Sequence, residues 1–238
     1  MAGRLYLVPN LLGVVAPQDV LPARTIEVVR GLRHFVAENA KTARAFLKSI
    51  DTPAPLQQID IAELNEHTPP NRVAELLGPL STGNDLGLLS DAGCPAIADP
   101  GGALVAAAHR AGIAVVPLVG PSSILLALMA SGLNGQGFTF HGYLPTKPEP
   151  RTAALRHVDA LARSGATQIF IEAPYRNITM LQAIVATCAG ETLLTVAADL
   201  TLPTEEIVTL PVNAWRQRGA ERYKNRPAIF LLGRAPQR

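Results

Sequence analysis

The sequence predicts an α/β protein built as two α/β halves with a ligand cleft between them. Three observations point there. Short apolar runs alternate with helical patterns nearly throughout the 238 residues. Hydrophobic residues make up 48% and charged ones 17%, which offsets chain entropy with buried surface and excludes a disordered chain. Aromatics are only 5%, so the apolar weight sits in Ala, Leu, Val and Ile. The length suits two halves of about 120 residues, and the texture changes near residue 118, which divides the chain into residues 1–118 and 119–238.

In the first half, Leu5 to Val8, Gln57 to Ile61, Leu86 to Ser90 and Ile113 to Leu118 read as short buried strands bounded by Pro, Gly, Asn or Asp. Thr25 to His34 and Gly102 to Ala111 carry apolar residues at helical spacing between them. That alternation predicts a mostly parallel sheet wrapped by helices. The second half opens with a helical stretch, Ser122 to Ser131, and an alternating strand, Phe138 to Leu144. Gln168 to Ala173, Leu193 to Ala197, Ile207 to Leu210 and Ala228 to Leu232 continue a mixed sheet. The helix Asn177 to Ala189 sets Ile178, Leu181, Ile184, Val185 and Cys188 on one stripe, which makes Cys188 a small core residue. No repeat of 20 to 50 residues is visible, so a solenoid is not expected.

The formal charge of +2 is too small for a protein that coats nucleic acid. Its distribution is uneven. After Trp215, Arg216, Arg218, Arg222, Lys224, Arg226, Arg234 and Arg238 are accompanied only by Glu221. That segment reads either as a docking point for phosphates or as a solvated, slightly basic end. Two cysteines, Cys94 and Cys188, make no disulfide framework and suit a reducing cytoplasm. Between Arg110 and Lys147 lie 36 residues without a charged side chain, but Pro117, Gly120, Pro121 and Asn134 interrupt them, so no membrane span is expected.

The chain has no phosphate-loop lysine, no nucleophile elbow and no dinucleotide fingerprint, and its five histidines are too scattered for a metal site. What remains is three small-residue loops, each after a predicted strand. They are Pro9 to Gly13, Ser90 to Gly101 and Val119 to Ser123. Carboxyl ends of parallel strands are where α/β sheets bind ligands, and small residues there let a ligand reach the main chain. None of the three carries Lys or Arg. That disfavours phosphate and suits an adenine nucleoside with a cationic centre, read by main-chain hydrogen bonds and a carboxylate such as Asp91; the alternative is turn chemistry with no ligand.

The run Leu88-Leu89-Ser90-Asp91-Ala92-Gly93-Cys94-Pro95-Ala96-Ile97-Ala98-Asp99-Pro100-Gly101 resembles the signature of the tetrapyrrole methylase superfamily, in its branch that methylates ribosomal RNA. Val116 to Ser123, Ser131-Gly132-Leu133 with Phe140 to Pro145, and Glu172-Ala173-Pro174-Tyr175-Arg176 match further blocks in order. The resemblance implies S-adenosylmethionine in a cleft between two α/β domains, a homodimer, and ribose 2′-O-methylation of small-subunit ribosomal RNA. It places cofactor contacts in the Pro9 loop, with Pro9 and Leu11, at Cys94 and Ile97, at Ser122 and Ser123, and at Ala173, Leu200, Pro227 and Ala228; the reading of the loops themselves adds Asp91 and Gly93.

On the acceptor side the chain departs from the family. It reads Ala37-Glu38-Asn39-Ala40-Lys41-Thr42-Ala43 where the branch has an acid and an arginine, and Asn225-Arg226-Pro227 where the branch has Lys-Gly-Glu. A ribose hydroxyl needs a base or a polarising cation nearby. Glu38, Lys41, Glu66, His67, Tyr175 and Arg176 are the residues expected to supply it; for Glu38 and Lys41 the alternative is a solvated pair three residues apart. Two other readings stay open: the same chemistry on a tetrapyrrole or other small molecule, and a silent module that binds the donor without transferring from it.

Overall fold

The computed structural model describes residues 3–235, so Arg238 of the basic segment lies outside the described residues. The chain divides into two compact units, one ending at Ser122 and the other beginning at Ser123.

The first unit runs β1 (Leu5–Val8), α1 (Pro17–Val20), α2 (Ala23–Gly31), β2 (His34–Ala37), α3 (Ala40–Ser49), β3 (Asp60–Glu63), α4 (Pro70–Glu75), α5 (Gly78–Ser81), β4 (Leu86–Leu89), α6 (Gly101–Arg110) and β5 (Val115–Pro117). Its five strands are all parallel, in the order β3-β2-β4-β1-β5. Strand periodicity explains the double-sided core. Phe35 and Ala37 join Val8, Leu89 and the apolar faces of α2 and α3 on one side. Val36 joins Leu5, Leu86, Leu88 and residues of α4, α5 and α6 on the other.

Two expectations need correction here. The predicted helix to His34 stops at Gly31, and Leu32 turns extended. The next four residues are β2, whose neighbours on both sides demand buried, strand-forming Phe35 and Val36. The predicted strand Gln57 to Ile61 starts later, because Leu56–Gln58 forms a 3-10 turn after Pro55 and pairing with β2 begins only at Asp60.

The second unit runs α7 (Ser123–Ser131), β6 (Phe138–Tyr143), α8 (Pro148–Ser164), β7 (Thr167–Ile171), α9 (Asn177–Thr187), β8 (Leu193–Ala198), β9 (Glu206–Pro211), α10 (Val212–Arg218) and β10 (Ala228–Gly233). The sheet order is β6-β7-β10-β8-β9, parallel between β6 and β7 and antiparallel elsewhere. One core gathers Phe170, Val196 and Phe230 with Leu155, Met180, Ile184, Cys188 and Trp215 from the covering helices. The Phe170 and Phe230 rings stack with centroids 5.7 Å apart, and Trp215 Nε1 donates to the Leu194 carbonyl at 3.0 Å. The long uncharged stretch becomes β5, α7 and β6. Among the described residues no helix is long and apolar enough to cross a membrane.

The basic segment is not a run of open cations. Glu206 receives Arg218 at 2.8 Å, Arg222 at 2.9 Å and Arg226 at 3.1 Å, and Arg226 also reaches Asp199 at 2.8 Å. These acids lie far back in the sequence and meet the arginines only through the β8–β9 hairpin. Burial pushes the Glu206 carboxyl up, but the hydrogen bonds from Arg218 and Arg226 and the charge of Arg222 outweigh it and hold the group below its ordinary 4.5. Glu206→Gln should therefore cost about 2 kcal/mol of unfolding free energy at neutral pH. In the native protein that contribution is whole above the ordinary carboxylate range and is lost as pH falls through the lowered value. Urea titrations at neutral and acid pH should show the gap between the two proteins closing in acid.

Candidate active site

Strands β4, β1 and β5 are neighbours, so the loops that leave their carboxyl ends are neighbours too. The chain leaving β1 travels to β2 on one side, and the chain leaving β4 travels to β5 on the other. Each connection passes the other's strand, so the two loops cross at the carboxyl ends of β4 and β1.

Asn10 sews the first two loops together. Its main chain exchanges hydrogen bonds with Gly93, at 2.9 Å and 3.2 Å. Its side chain, in a residue 4% exposed, donates to the Ser90 carbonyl at 3.0 Å and the Asp91 carbonyl at 3.2 Å, while its Oδ1 accepts the Leu11 N–H at 2.8 Å. The third loop closes on the others. Cys94 Sγ lies 3.5 Å from the Pro121 carbonyl, and Thr25 Oγ1 holds the Val119 carbonyl at 2.8 Å. A Cβ on Gly120 would fall 2.3 Å from Pro9 Cγ, so the first and third loops meet this closely only with glycine there. Burial raises the Cys94 thiol above its ordinary value, so it rests protonated.

The long loop after β4 is strained. Ala96 and Ala98 take positive φ of 66° and 60°, on either side of an exposed Ile97. Asp99 holds this shape: its carboxylate accepts the Ala96 N–H at 2.9 Å and the Gly101 N–H at 2.8 Å. Burial raises the Asp99 carboxyl more than those bonds lower it.

Along the same edge stand the other candidates of this unit. Glu38 follows β2, and Glu66 and His67 follow β3. Burial raises the Glu38 carboxyl, and the charges of Asp91, Asp99 and Glu66 raise it further. His67 and Glu66 are solvated, with Nε2 3.6 Å from the carboxylate. Lys41 is exposed in the first turn of α3. The departure at Asn39 has a structural account: its side chain caps α3 by accepting the Lys41 and Thr42 N–H groups at 2.9 Å and 3.2 Å. Asn and Asp cap about equally well, so the helix start survives the exchange.

The remaining candidates share one end of the second sheet. Ala173 follows β7, Leu200 follows β8, and Pro227 and Ala228 open the antiparallel β10 that lies between them. The Asp199 N–H donates to the Pro227 carbonyl at 2.9 Å, and the Asn225 N–H to the Pro174 carbonyl at 3.2 Å. Arg226, in the place of the family's glycine, donates to Asp199 and Glu206 and to the Thr204 carbonyl at 2.6 Å. It thereby braces a turn in which Asp199 and Thr201 have positive φ. Arg176 is fastened to buried Glu172 at 2.6 Å. That hydrogen bond raises its pKa, so it is a fixed cation and not a base. Ser122 ends the first unit, and Ser123 starts α7.

Sequence reading did not single out Asn10 or Asp99. The Asp99-Pro100-Gly101 triplet carried a turn signal, whereas the reach of Asn10 to residues 80 positions away left no local trace.

Three small-residue loops without cations thus meet at neighbouring strand ends of a parallel α/β sheet. Residues 15–214 match the family of tetrapyrrole (corrin/porphyrin) methylases, and the chain belongs to that family. It is a methyltransferase. Among its relatives, the ribosomal RNA small subunit methyltransferase I of Escherichia coli O157:H7 is 33% identical over 99% of this chain and 79% of the relative. The protein of the same name from Micromonospora olivasterospora is 38% identical over 87% of this chain and 62% of its own length. The fold is that of the methyltransferase CobJ, with a TM-score of 0.67, 19% identity and coverage of 100% and 96%. It is also that of the cobalt precorrin-4 methyltransferase CbiF, with a TM-score of 0.62, 14% identity and coverage of 97% and 94%.

Asp99→Ala should release the strained loop, costing about 1–3 kcal/mol and speeding amide exchange across 92–101 while β1 and β4 stay protected. Hydrogen exchange read peptide by peptide checks this; unchanged protection in the loop would contradict it.

Proposed function

We propose that this methyltransferase takes its methyl group from S-adenosylmethionine and delivers it to a ribose 2′-hydroxyl of small-subunit ribosomal RNA, in the cytoplasm and as a homodimer. The observation that carries the donor half is the meeting of three cation-free loops at the ends of β4, β1 and β5. The acceptor half rests on the names of the relatives.

The residues present fit such a donor. Glycine at 93 and 120 keeps the loops bare where they approach one another, and exposed Ile97 offers an apolar surface to a purine. Pro9, Leu11, Gly93, Cys94, Ile97, Ser122 and Ser123 would hold the adenosyl part, and the Asp91 carboxylate would accept from its ammonium group. Ala173, Leu200, Pro227 and Ala228 are assigned to the donor by family resemblance. When bound, S-adenosylmethionine supplies a sulfonium methyl group open to in-line displacement.

The protein's own work is alignment, exclusion of water and handling of one proton. Glu38 is the group suited to take that proton, because burial and the neighbouring acids make its carboxylate a stronger base than an ordinary glutamate. The basic side chains of Lys41 and Arg176 can face phosphate. Glu66 contributes through its charge on Glu38, and solvated His67 is left with the outer rim.

Incubation with methyl-labelled donor and small-subunit ribosomal RNA, followed by digestion to nucleosides, should place the label in a 2′-O-methyl nucleoside. Label on a base, transfer only to a tetrapyrrole, or donor binding without transfer to anything would each overturn the reading. RNA affinity should fall steeply with salt, since the acceptor is held partly through phosphates. For Glu38, the rate should drop as pH falls through a value above the ordinary 4.5. Glu38→Gln should lower kcat by about 100-fold and flatten that limb.

A further inference from the structure

β6 and β7 are parallel, and Tyr143, the last residue of β6, is in register with Ile171, the last of β7. Both strands therefore release their chains at the same end of the sheet, and Tyr175 comes four residues after Ile171. The two tyrosines are among the most exposed large side chains of this unit, Tyr143 at 58% and Tyr175 at 70%. Rings of that size normally find cover. Their exposure at one end of the sheet marks a surface that another molecule covers.

Tyr175 is exposed without being loose. Glu172, whose side chain is 1% exposed, turns one carboxylate oxygen to three donors: the Ala173 N–H at 2.7 Å, Arg176 Nε at 2.8 Å and Arg176 Nη2 at 2.6 Å. The guanidinium so fixed donates from Nη1 to the Tyr175 hydroxyl at 3.1 Å and lies 5.1 Å from its ring centroid. Tyr143 is near enough to bear on the Arg176 charge. Four residues beyond Tyr143, Lys147 caps α8 from an exposed position at the same end of the sheet.

We propose that Tyr143 and Tyr175, together with Arg176, form a platform on which an unpaired base of the RNA acceptor stacks, and that Glu172 is the positioning residue that keeps it in shape. Single-stranded RNA is recognised largely through bases laid on aromatic rings and arginine planes. A ring already held in place, as Tyr175 is by Arg176, costs little to order on binding. Arg176 and Lys147 supply the positive charge that the strand's phosphates require. This goes beyond the roles given above to Tyr175 and Arg176, and it rests on RNA being the acceptor.

The test is equilibrium binding of a labelled single-stranded RNA of about ten nucleotides, compared with the same strand carrying abasic sites, which keeps the phosphates and removes the stacking surface. Native protein should prefer the intact strand by about tenfold. Tyr143→Ala and Tyr175→Ala should each lose most of that preference, with binding of the donor's demethylated product intact, while Tyr143→Phe and Tyr175→Phe should keep it. Glu172→Gln should also lose most of the preference because it loosens Arg176. Equal affinity of the native protein for intact and abasic strands overturns the platform and leaves the RNA reading standing, and that comparison needs no variant to fold. Alanine variants that retain the full preference also overturn it. Native protein that binds the demethylated donor but no RNA overturns both.

Discussion

The arrangement of the first unit depends on one buried side chain. Asn10, two residues past β1, donates from its amide into the β4 loop and pairs its main chain with Gly93. Loops usually pack loosely and move. Here the two are joined by four hydrogen bonds in a largely buried setting, where losing a partner is costly. Joined loops can be small-residue and still rigid. That permits recognition by main chain: glycines clear the approach, and Asn10 and Asp99 hold the shape that side chains would otherwise impose.

The second unit solves a related problem with charge. Its β7–β10–β8 end carries turns with Asp199, Thr201 and Asn225 at positive φ, conformations that each cost of order 1–3 kcal/mol and persist only when their surroundings enforce them. Arg226 supplies the enforcement through Asp199, Glu206 and the Thr204 carbonyl. Glu172 and Arg176 do the same beside β7. Each guanidinium is held in a planar, multi-donor geometry that a lysine could not reproduce. Arg218, Arg222 and Arg226 of the basic segment are thus tied to acids while staying partly exposed.

Much of this was legible in the residues, for identifiable reasons. β1, β4 and β8 are short apolar runs between breakers, and the three small-residue loops announce themselves by Gly and Pro at strand ends. β2 was hidden because Leu32 continued the apolar spacing of α2, and only Gly31 marked the change. The pairing of Arg218, Arg222 and Arg226 with Glu206 was not legible, since a hairpin brings acid and base together over a dozen or more residues. Nor could spacing select Leu200 or Ala228: their place beside Ala173 follows from β10 inserting between β7 and β8. The exchange at Asn39 looked like a lost acid and is a retained helix cap.

The account stands on main-chain recognition at loops that Asn10 joins. Calorimetry of S-adenosylhomocysteine binding to native protein and to Asn10→Ala, with matched unfolding curves, tests it most directly. The account predicts measurable heat with native protein and an affinity at least about tenfold weaker in a variant that remains folded. Equal affinity in the two, or no heat with folded native protein, would contradict it.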